Sequence, residues 1–138
     1  MQQSKGNKMT EQPHESILTI AQWHEKTFPD ATLETQIEKF HDEINEFDDA
    51  IEYTDNLHDA FVELADCAIV ACGLCRWGMA GANAFAKVVY LAHRLREFTD
   101  GDPVQLLLQA IDAKMEINRK RKWNNDHGKY QHIEDGGK

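Results

Sequence analysis

The stretch from Ala60 to Arg76 constrains the fold of this chain more than any other. Before the terminal Arg76 it is apolar nearly all round, and its only acids are Glu63 and Asp66. A helix with apolar residues on every side is normally buried. A buried, unpaired carboxylate is costly to keep charged, or else it stays protonated. The fold must therefore bring something cationic to this pair of acids.

A second acid pair lies between Leu33 and Ile51, in the clearest amphipathic pattern of the chain. The apolar residues recur at alternating steps of four and three, which is the period of an α-helix. They are Leu33, Ile37, Phe40, Ile44, Phe47 and Ile51. Glu43, Glu46 and Lys39 fall along one edge of this stripe, at the boundary between core and water. Taken alone, this second pair also fits a solvated acidic flank.

The two pairs share one spacing. Glu43 and Glu46 are three residues apart, and so are Glu63 and Asp66. Residues three apart on a helix are surface neighbours, with Cβ atoms about 5–6 Å apart, so each pair can aim at one point. Two such pairs brought face to face would hold a cluster of hard cations, which prefer carboxylate oxygens.

Three further stretches have helical periodicity, so the sequence predicts an all-α bundle of about five helices. They are 17 to about 27, 83–98 and 103 to about 123. Thr32 and Asp102 are the expected N-caps of the second and fifth helices. Gly78 and Gly81 are expected to end the central helix.

The domain organisation follows from this pattern. We expect a flexible arm over residues 1–16, in which Met9 is as good a natural start as Met1, and one helical domain over 17–123. Residues 124–138 are polar and rich in Gly and His. We expect a loop there that is either loose or packed on a partner subunit, and no strand pattern is visible.

Charge and hydropathy exclude several classes of function. The formal net charge of -9 argues against a large nucleic-acid interface, which needs basic residues to neutralise phosphates. No apolar run approaches the ~20 residues of a membrane span, and no signal-peptide core is visible. We therefore expect a cytoplasmic protein with no membrane partner.

The three cysteines, Cys67, Cys72 and Cys75, lie within one apolar stretch. An odd number is not a disulfide framework. The last two have CxxC spacing, but a redox or zinc site would need a strand–turn–helix setting or a second ligand pair. We interpret all three as small residues of a buried helix.

Two metal chemistries use inward-facing carboxylates in a helical bundle. A di-iron or di-manganese centre needs Glu-x-x-His on two helices. Glu38 and His41 have that spacing but lie on another face from Glu43, and Asp66 has no histidine partner. Magnesium-dependent phosphoryl chemistry fits better, because Mg²⁺ binds through carboxylates and substrate phosphates, and paired ions can activate water.

Cationic residues near the end of the fifth helix could hold the phosphates. Lys114, Asn118 and Arg121 recur at steps of four and three, so they share one face. The neighbouring Arg119, Lys120 and Lys122 are explained by the helix macrodipole, which favours cations at a helix C-terminus.

These segments resemble a known family. The ExxE and ExxD pairs, followed by the segment from Lys114 to Trp123, are similar to the all-α nucleoside triphosphate pyrophosphohydrolases, the MazG-like superfamily. The opening segment, residues 23–32 and 36–39, resembles the branch of bacteria and phages described as dATP/dGTP diphosphohydrolases. The closing segment, 126–133, is also similar, although His127 is inserted where that branch usually reads Asp-Gly.

The resemblance implies hydrolysis of a deoxypurine triphosphate, dGTP or dATP, to the monophosphate and pyrophosphate with two or more Mg²⁺ or Mn²⁺ ions. It implies a homodimer or homotetramer in a bacterium or a phage-infected cell. The implied metal ligands are Glu43, Glu46, Glu63 and Asp66. Either Glu43 or Glu46, with Glu46 preferred, would also orient or deprotonate the attacking water. The implied phosphate ligands are Lys39, Lys114, Asn118 and Arg121. Trp23 and Phe28 either cover the base or sugar or belong to the core.

Two alternatives stay open at this point. The same site could remove damaged or non-standard triphosphates from the nucleotide pool. The chain could also be a helical interaction module without catalytic activity, whose acids are merely solvated. The acids in a nearly all-apolar helix count against the second alternative.

Overall fold

The computed structural model describes residues 15–53, 56–126 and 129–133. Over these ranges the chain is mostly helical, with five α-helices, which confirms the prediction of a helical protein. The helices are α1 (Ile17–Thr27), α2 (Leu33–Tyr53), α3 (Leu57–Leu74), α4 (Met79–Arg94) and α5 (Pro103–Asn118). Short 3₁₀ turns, Cys75–Trp77 and Leu95–Phe98, follow α3 and α4.

Helix α3 forms the centre of the fold, as its apolar composition predicts. It packs against α1, α2, α4 and α5. Leu64, Ile69 and Val70 point in three different directions around the helix axis, and all three are buried. Because neighbours cover nearly the whole helix, any charged group on α3 has to face a cavity or a partner charge.

Side-chain oxygens mark the starts of α1, α2, α3 and α5. The Ser16 hydroxyl accepts a hydrogen bond from the Thr19 amide, and Thr32 does the same for Thr35. Asn56 and Asp102 cap α3 and α5, and Pro103 occupies the first turn of α5. Each cap satisfies an amide that the first helical turn leaves without a partner. The two caps predicted from sequence, Thr32 and Asp102, are confirmed.

The prediction that Gly78 and Gly81 both end the central helix is wrong for Gly81. Gly78 has a φ of 70°, which favours glycine, and stands between the 3₁₀ turn and α4. Gly81 lies inside α4, which begins at Met79 rather than at Asn83. A Cβ on Gly81 would lie 2.6 Å from the Cα of Cys75, so glycine is needed there for close backbone packing.

The C-terminal segment differs most from expectation. Helix α5 ends at Asn118 and not near Trp123, and the chain then forms two antiparallel strands, β1 (Lys122–Asp126) and β2 (Lys129–Ile133). Trp123 pairs with His132, and Asn125 pairs with Tyr130. The predicted loop is therefore wrong for these residues. The strands contain too few apolar residues to give an alternating signal, and they are held by packing against α1 and α2.

Other expectations have mixed outcomes. Residues 1–14 of the expected arm lie outside the described residues. Glu15 and Ser16 are tied to the fold, since both carboxylate oxygens of Glu15 accept hydrogen bonds from Arg119 at 2.8 and 2.9 Å. Cys67 and Cys72 are buried free thiols of α3, as interpreted from sequence, whereas Cys75 is a half-buried free thiol in the 3₁₀ turn that follows α3. Within the described ranges, none of the helices combines the length and apolar composition needed to cross a membrane.

Candidate functional site

A cavity of about 300 Å³ opens between α1, α2, α3, α5 and the hairpin. All ten residues singled out from sequence line it. They are Trp23, Phe28, Lys39, Glu43, Glu46, Glu63, Asp66, Lys114, Asn118 and Arg121. The cavity is also lined by residues to which sequence reasoning gave no separate role in the site, although several of them lie in the segments that carry the family resemblance. Those are His24, Gln36, Ile69, Val70, Trp123, Tyr130 and His132.

Three acids converge where α2 packs against α3. Glu43, Glu63 and Asp66 each offer a carboxylate oxygen, and these atoms all lie within 4.8 Å of one another. Glu46, the fourth acid, lines the same cavity but is exposed and stands outside this cluster. The described fold thus gathers three of the four expected carboxylates around one point.

Burial sets the electrostatics of this acid cluster. Removal from water raises the pKa of Asp66 to about 7, Lys114 opposes that rise, and the charges of Glu43 and Glu63 add to it. Burial likewise raises the pKa of Glu43 and of Glu63. For Glu63, the nearby carboxylates of Glu46 and Glu43 also raise the pKa. The cluster therefore resists full ionisation without added positive charge.

Two oxygens of the cluster lack a partner. Oε1 of Glu43 and Oε1 of Glu63 are buried and make no hydrogen bond within the described part of the chain. Buried polar atoms are nearly always paired, and each exception calls for an explanation. A divalent cation held by oxygen ligands would satisfy both atoms.

Two lysines neutralise part of the acid cluster. Lys39 Nζ lies 3.4 Å from Glu43 Oε2, one helical turn away on α2. Lys114 Nζ reaches across from α5 to Asp66 Oδ1 at 3.5 Å. Both lysines line the cavity, and each ammonium is carried on a flexible side chain that can turn to an anion.

The other two members of the α5 row lie next to Lys114. Asn118 is buried, and its Oδ1 accepts a hydrogen bond from the Arg121 guanidinium at 3.3 Å. Arg121 itself lies beyond the end of α5. The expected row of three is therefore brought together in the cavity, although its last member is not helical.

Aromatic side chains line the cavity next to α1 and the hairpin. The buried Phe28 ring lies with its centroid 5.2 Å from Trp23, 5.0 Å from Trp123 and 4.5 Å from Tyr130. His132 stands edge-on to Trp123. Trp23 and Phe28 thus contribute both to packing and to the cavity wall. Tyr130 and His132 were missed because the hairpin was not predicted.

A buried polar pair was also missed. His24 Nε2 and Gln36 Oε1 are 3.0 Å apart, and both residues are buried. Burial lowers the pKa of His24 to about 4, so its ring is neutral at physiological pH. In the sequence, His24 reads as one more member of the inward-facing stripe of α1, and nothing local marks its partner.

The cavity thus contains acidic, cationic and aromatic surfaces, contributed by separate parts of the chain. Such a combination can bind divalent cations, a polyanion and a flat ring together. Comparisons with protein-family models, with curated proteins and with solved structures give no match to this chain.

Proposed function

We propose that this protein is a Mg²⁺-dependent nucleoside triphosphate pyrophosphohydrolase that acts on deoxypurine substrates, dGTP or dATP. The observation that carries the proposal is the cluster of Glu43, Glu63 and Asp66, with ligand atoms within 4.8 Å and two buried oxygens without partners. Lysines flank the cluster and aromatic rings line the same cavity. The deoxypurine assignment rests on the resemblance to the MazG-like superfamily.

The residues fit hard divalent cations. The donor set is all carboxylate, which suits Mg²⁺ or Mn²⁺ and does not favour softer metals. Glu43, Glu63 and Asp66 would hold the ions, and Glu46 at the cavity mouth would complete the set. The charge of a divalent cation would also stabilise the Asp66 carboxylate, and so offset the effect of burial, which raises the pKa of Asp66.

When bound, such ions polarise phosphoryl oxygens and acidify a coordinated water. In our proposal, Glu46 orients the attacking water and accepts its proton. The water oxygen bonds to the α-phosphorus, and the bond from that phosphorus to the bridging oxygen breaks. The products are the nucleoside monophosphate and pyrophosphate.

The cationic side chains bind the phosphates. Lys39 and Lys114, which pair with carboxylates of the acid cluster, would pair with phosphate oxygens of a bound substrate. Arg121 adds a guanidinium, which can bind two phosphate oxygens at once. These groups stabilise negative charge that develops on the leaving pyrophosphate. The nucleoside then lies toward the aromatic wall, where Trp23, Phe28 and Trp123 contact its ring.

Exposed apolar side chains favour self-association, so we also propose a homodimer or homotetramer in the cytoplasm. Met79, Tyr90 and Phe98 lie at the surface of the isolated chain with more than half of their area exposed, at 72%, 57% and 67%. Association of chains over these residues would remove apolar surface from water. Light scattering coupled to size exclusion should give a mass of at least two chains, and a monomer would contradict this part of the proposal.

The test of activity is pyrophosphate release from the four standard deoxynucleoside triphosphates, dUTP and the ribonucleotides, with Mg²⁺ and with Mn²⁺. We expect release from dGTP or dATP. In Asp66→Asn the rate of release should fall roughly 100-fold or more, since substituting even a residue that only hydrogen-bonds to a metal ligand lowers activity 10–100-fold. Glu46→Gln should behave similarly. Asp49→Asn, an exposed acid on α2, is the matched control and should stay active.

Each other outcome points elsewhere. Even activity across the panel, with higher activity on oxidised or deaminated nucleotides, would favour removal of damaged triphosphates. No release from any nucleotide by folded protein, together with no change in Tm on adding Mg²⁺ or Mn²⁺, would overturn the proposal and favour an interaction module.

A further inference from the structure

Three polar side chains form a chain of hydrogen bonds next to the aromatic side chains of the cavity. Arg76, in the turn after α3, places a terminal nitrogen 3.0 Å from His24 Nδ1. His24 Nε2 lies 3.0 Å from Gln36 Oε1. His24 and Gln36 are 3% and 4% exposed, so both are almost fully removed from water.

Arg76 fixes the direction of each hydrogen bond among these three side chains. A guanidinium can only donate, so His24 Nδ1 has to be the unprotonated, accepting nitrogen. The neutral ring then carries its proton on Nε2 and donates it to Gln36. The acceptor on Gln36 is its amide oxygen, and the amide NH₂ is directed away from His24. Burial of the ring, which lowers the pKa of His24 to about 4, keeps it in this neutral form.

Neighbouring groups hold the Arg76 and His24 side chains in place. The same Arg76 nitrogen lies 3.3 Å from the backbone oxygens of His24 and Phe28, at the end of α1. The guanidinium also lies over the Trp77 ring, 4.8 Å from its centroid. On the other side, Gly73 leaves room for the imidazole, since a Cβ there would lie 2.3 Å from His24 Cδ2.

Gln36 lines the cavity beside the nucleoside end of the proposed site. Its partner His24 touches Phe28, with ring centroids 5.0 Å apart. Along α2, Gln36 precedes the metal-facing Glu43 by seven residues, which is about 10 Å of helix at 1.5 Å per residue. Its amide nitrogen makes no hydrogen bond to any residue that the structure describes.

We propose that Gln36 is a specificity-determining residue whose amide NH₂ donates a hydrogen bond to an acceptor atom on the substrate base, with Arg76 and His24 as its positioning residues. This inference rests on the proposed function and deepens it. A base that instead presents a donor or a C–H group at that point covers the Gln36 NH₂ and leaves it without a hydrogen-bond partner. Such a loss costs roughly 10- to 100-fold in kcat/KM.

The experiment compares purine triphosphates with analogues in which one acceptor is removed. The substrates are dGTP and dATP, their 7-deaza and 3-deaza forms, and the form of dGTP without its carbonyl. For each analogue, the kcat/KM of the parent is divided by the kcat/KM of the analogue, which gives the parent-to-analogue ratio. We expect one analogue to be about 10- to 100-fold poorer than its parent with wild-type protein. The same ratio is expected with Gln22→Ala, which removes an exposed glutamine from α1.

Two variants of Gln36 make the test specific. Gln36→Ala removes the donor, and Gln36→Glu keeps the oxygen that His24 needs while removing both N–H groups. In both, the parent-to-analogue ratio should fall to about one, because the parent loses its advantage and the analogue loses nothing. In Arg76→Met the His24 ring can change tautomer and the amide can reverse, so the ratio should fall while circular dichroism stays unchanged.

Either of two results would overturn the inference. One is a ratio that survives in Gln36→Glu, and the other is an equal loss for every parent and analogue, which indicates a structural role. If the wild-type protein hydrolyses no triphosphate, the proposed function fails on its own. The same ratios are then taken from calorimetric dissociation constants, and absence of nucleotide binding overturns the inference as well.

Discussion

Asp66 is a carboxyl whose surroundings oppose its charge. Burial and the neighbouring Glu43 and Glu63 raise its pKa, and Lys114 offsets this only in part. Burial of this kind favours cation binding, because a bound ion stabilises the carboxylate charge that the folded protein otherwise disfavours. The consequences can be measured without any substrate.

In metal-free protein, the contribution of Asp66 to the free energy of unfolding should fall as the pH rises. Its pKa of about 7 in the fold exceeds the value of about 3.9 in an unfolded chain. The folded state therefore binds more protons between these values, so the stabilisation is complete below about pH 4 and lost as the pH approaches 7.

The measurement is urea unfolding in EDTA from pH 4 to 8, for wild-type protein and Asp66→Asn. His24 acts in the opposite direction, since its lowered pKa adds stability as the pH rises toward 6.5. Both proteins share His24, so their difference isolates Asp66. We expect that difference to change by on the order of 2 kcal/mol across the range. A flat difference curve would contradict the assigned burial.

Replacing Glu63 with glutamine should stabilise the metal-free protein. The carboxyl faces Glu43 and Glu46, and its buried Oε1 has no partner among the described residues. A neutral amide of the same shape removes the repulsion. Since Glu63 is only half-buried, solvent screening limits the gain, and we expect a rise of roughly 2–4 °C in Tm.

Under the proposed function, Mg²⁺ or Mn²⁺ should stabilise the wild-type protein, and the same Glu63→Gln variant should lose this stabilisation. Thermal unfolding with EDTA and with each metal measures both effects, and Asp49→Asn serves as control. A variant that is less stable without metal, or equally stabilised by it, would disagree with a metal role for this carboxylate.

At the scale of elements, sequence periodicity predicted the helices and missed the hairpin. The apolar stripe of α2 and the apolar run of α3 are long, and Thr32 and Asp102 are strong caps, so local sequence was sufficient there. The strands have no comparable pattern, because Trp123 and Tyr130 are fixed by contacts with Phe28, about a hundred residues away in the chain. The end of α5 was misplaced for the same reason.

The junction of α3 and α4 should tolerate no side chain at Gly81. A Cβ there meets the backbone of Cys75 at 2.6–2.7 Å, and backbone cannot move aside as a flexible side chain can. We expect Gly81→Ala to lower the free energy of unfolding by roughly 1–3 kcal/mol.

Gly101→Ala is the control for this substitution. Its nearest neighbour would be the Leu106 side chain at 3.4 Å, which is ordinary contact, so a change within about 0.5 kcal/mol is expected. Chemical denaturation gives both values. Equal stability of the two variants would show that α4 does not need its close approach to the turn.

For the whole molecule, the sequence predicted the charged residues of the cavity better than its uncharged ones. Acids in an apolar helix are conspicuous, and their partners could be found on helical faces. Gln36 and His24 give no such signal in the sequence. A polar residue on a buried helix face is explained only by its hydrogen-bond partner, and tertiary packing determines that partner. The aromatic wall likewise required knowledge of how α1 meets the hairpin.

Tyr130 should secure the nucleoside end of the cavity without taking part in the chemistry. Its ring packs on Phe28, and its hydroxyl accepts a hydrogen bond from the Asp30 amide at 3.3 Å. In Tyr130→Ala the Phe28 ring loses its support, and aromatic stacking on a base is worth about 1–3 kcal/mol, so we expect KM for the triphosphate to rise roughly 10-fold with little change in kcat.

Tyr130→Phe keeps the ring and removes the hydroxyl, so its KM should stay close to that of the wild-type protein. Steady-state kinetics on the best substrate distinguishes the two variants. A fall in kcat with unchanged KM in Tyr130→Ala would instead place this residue near the reacting phosphorus.

The cavity lining carries four carboxylates against three cationic side chains, Lys39, Lys114 and Arg121. This near balance has a thermodynamic consequence. Divalent ions alone would leave the cavity with an excess of positive charge, and a triphosphate alone would crowd it with anions. Bound together they cancel, so each should raise the affinity for the other by the same factor, as linkage requires. Under the proposed function, metal and nucleotide would therefore bind cooperatively.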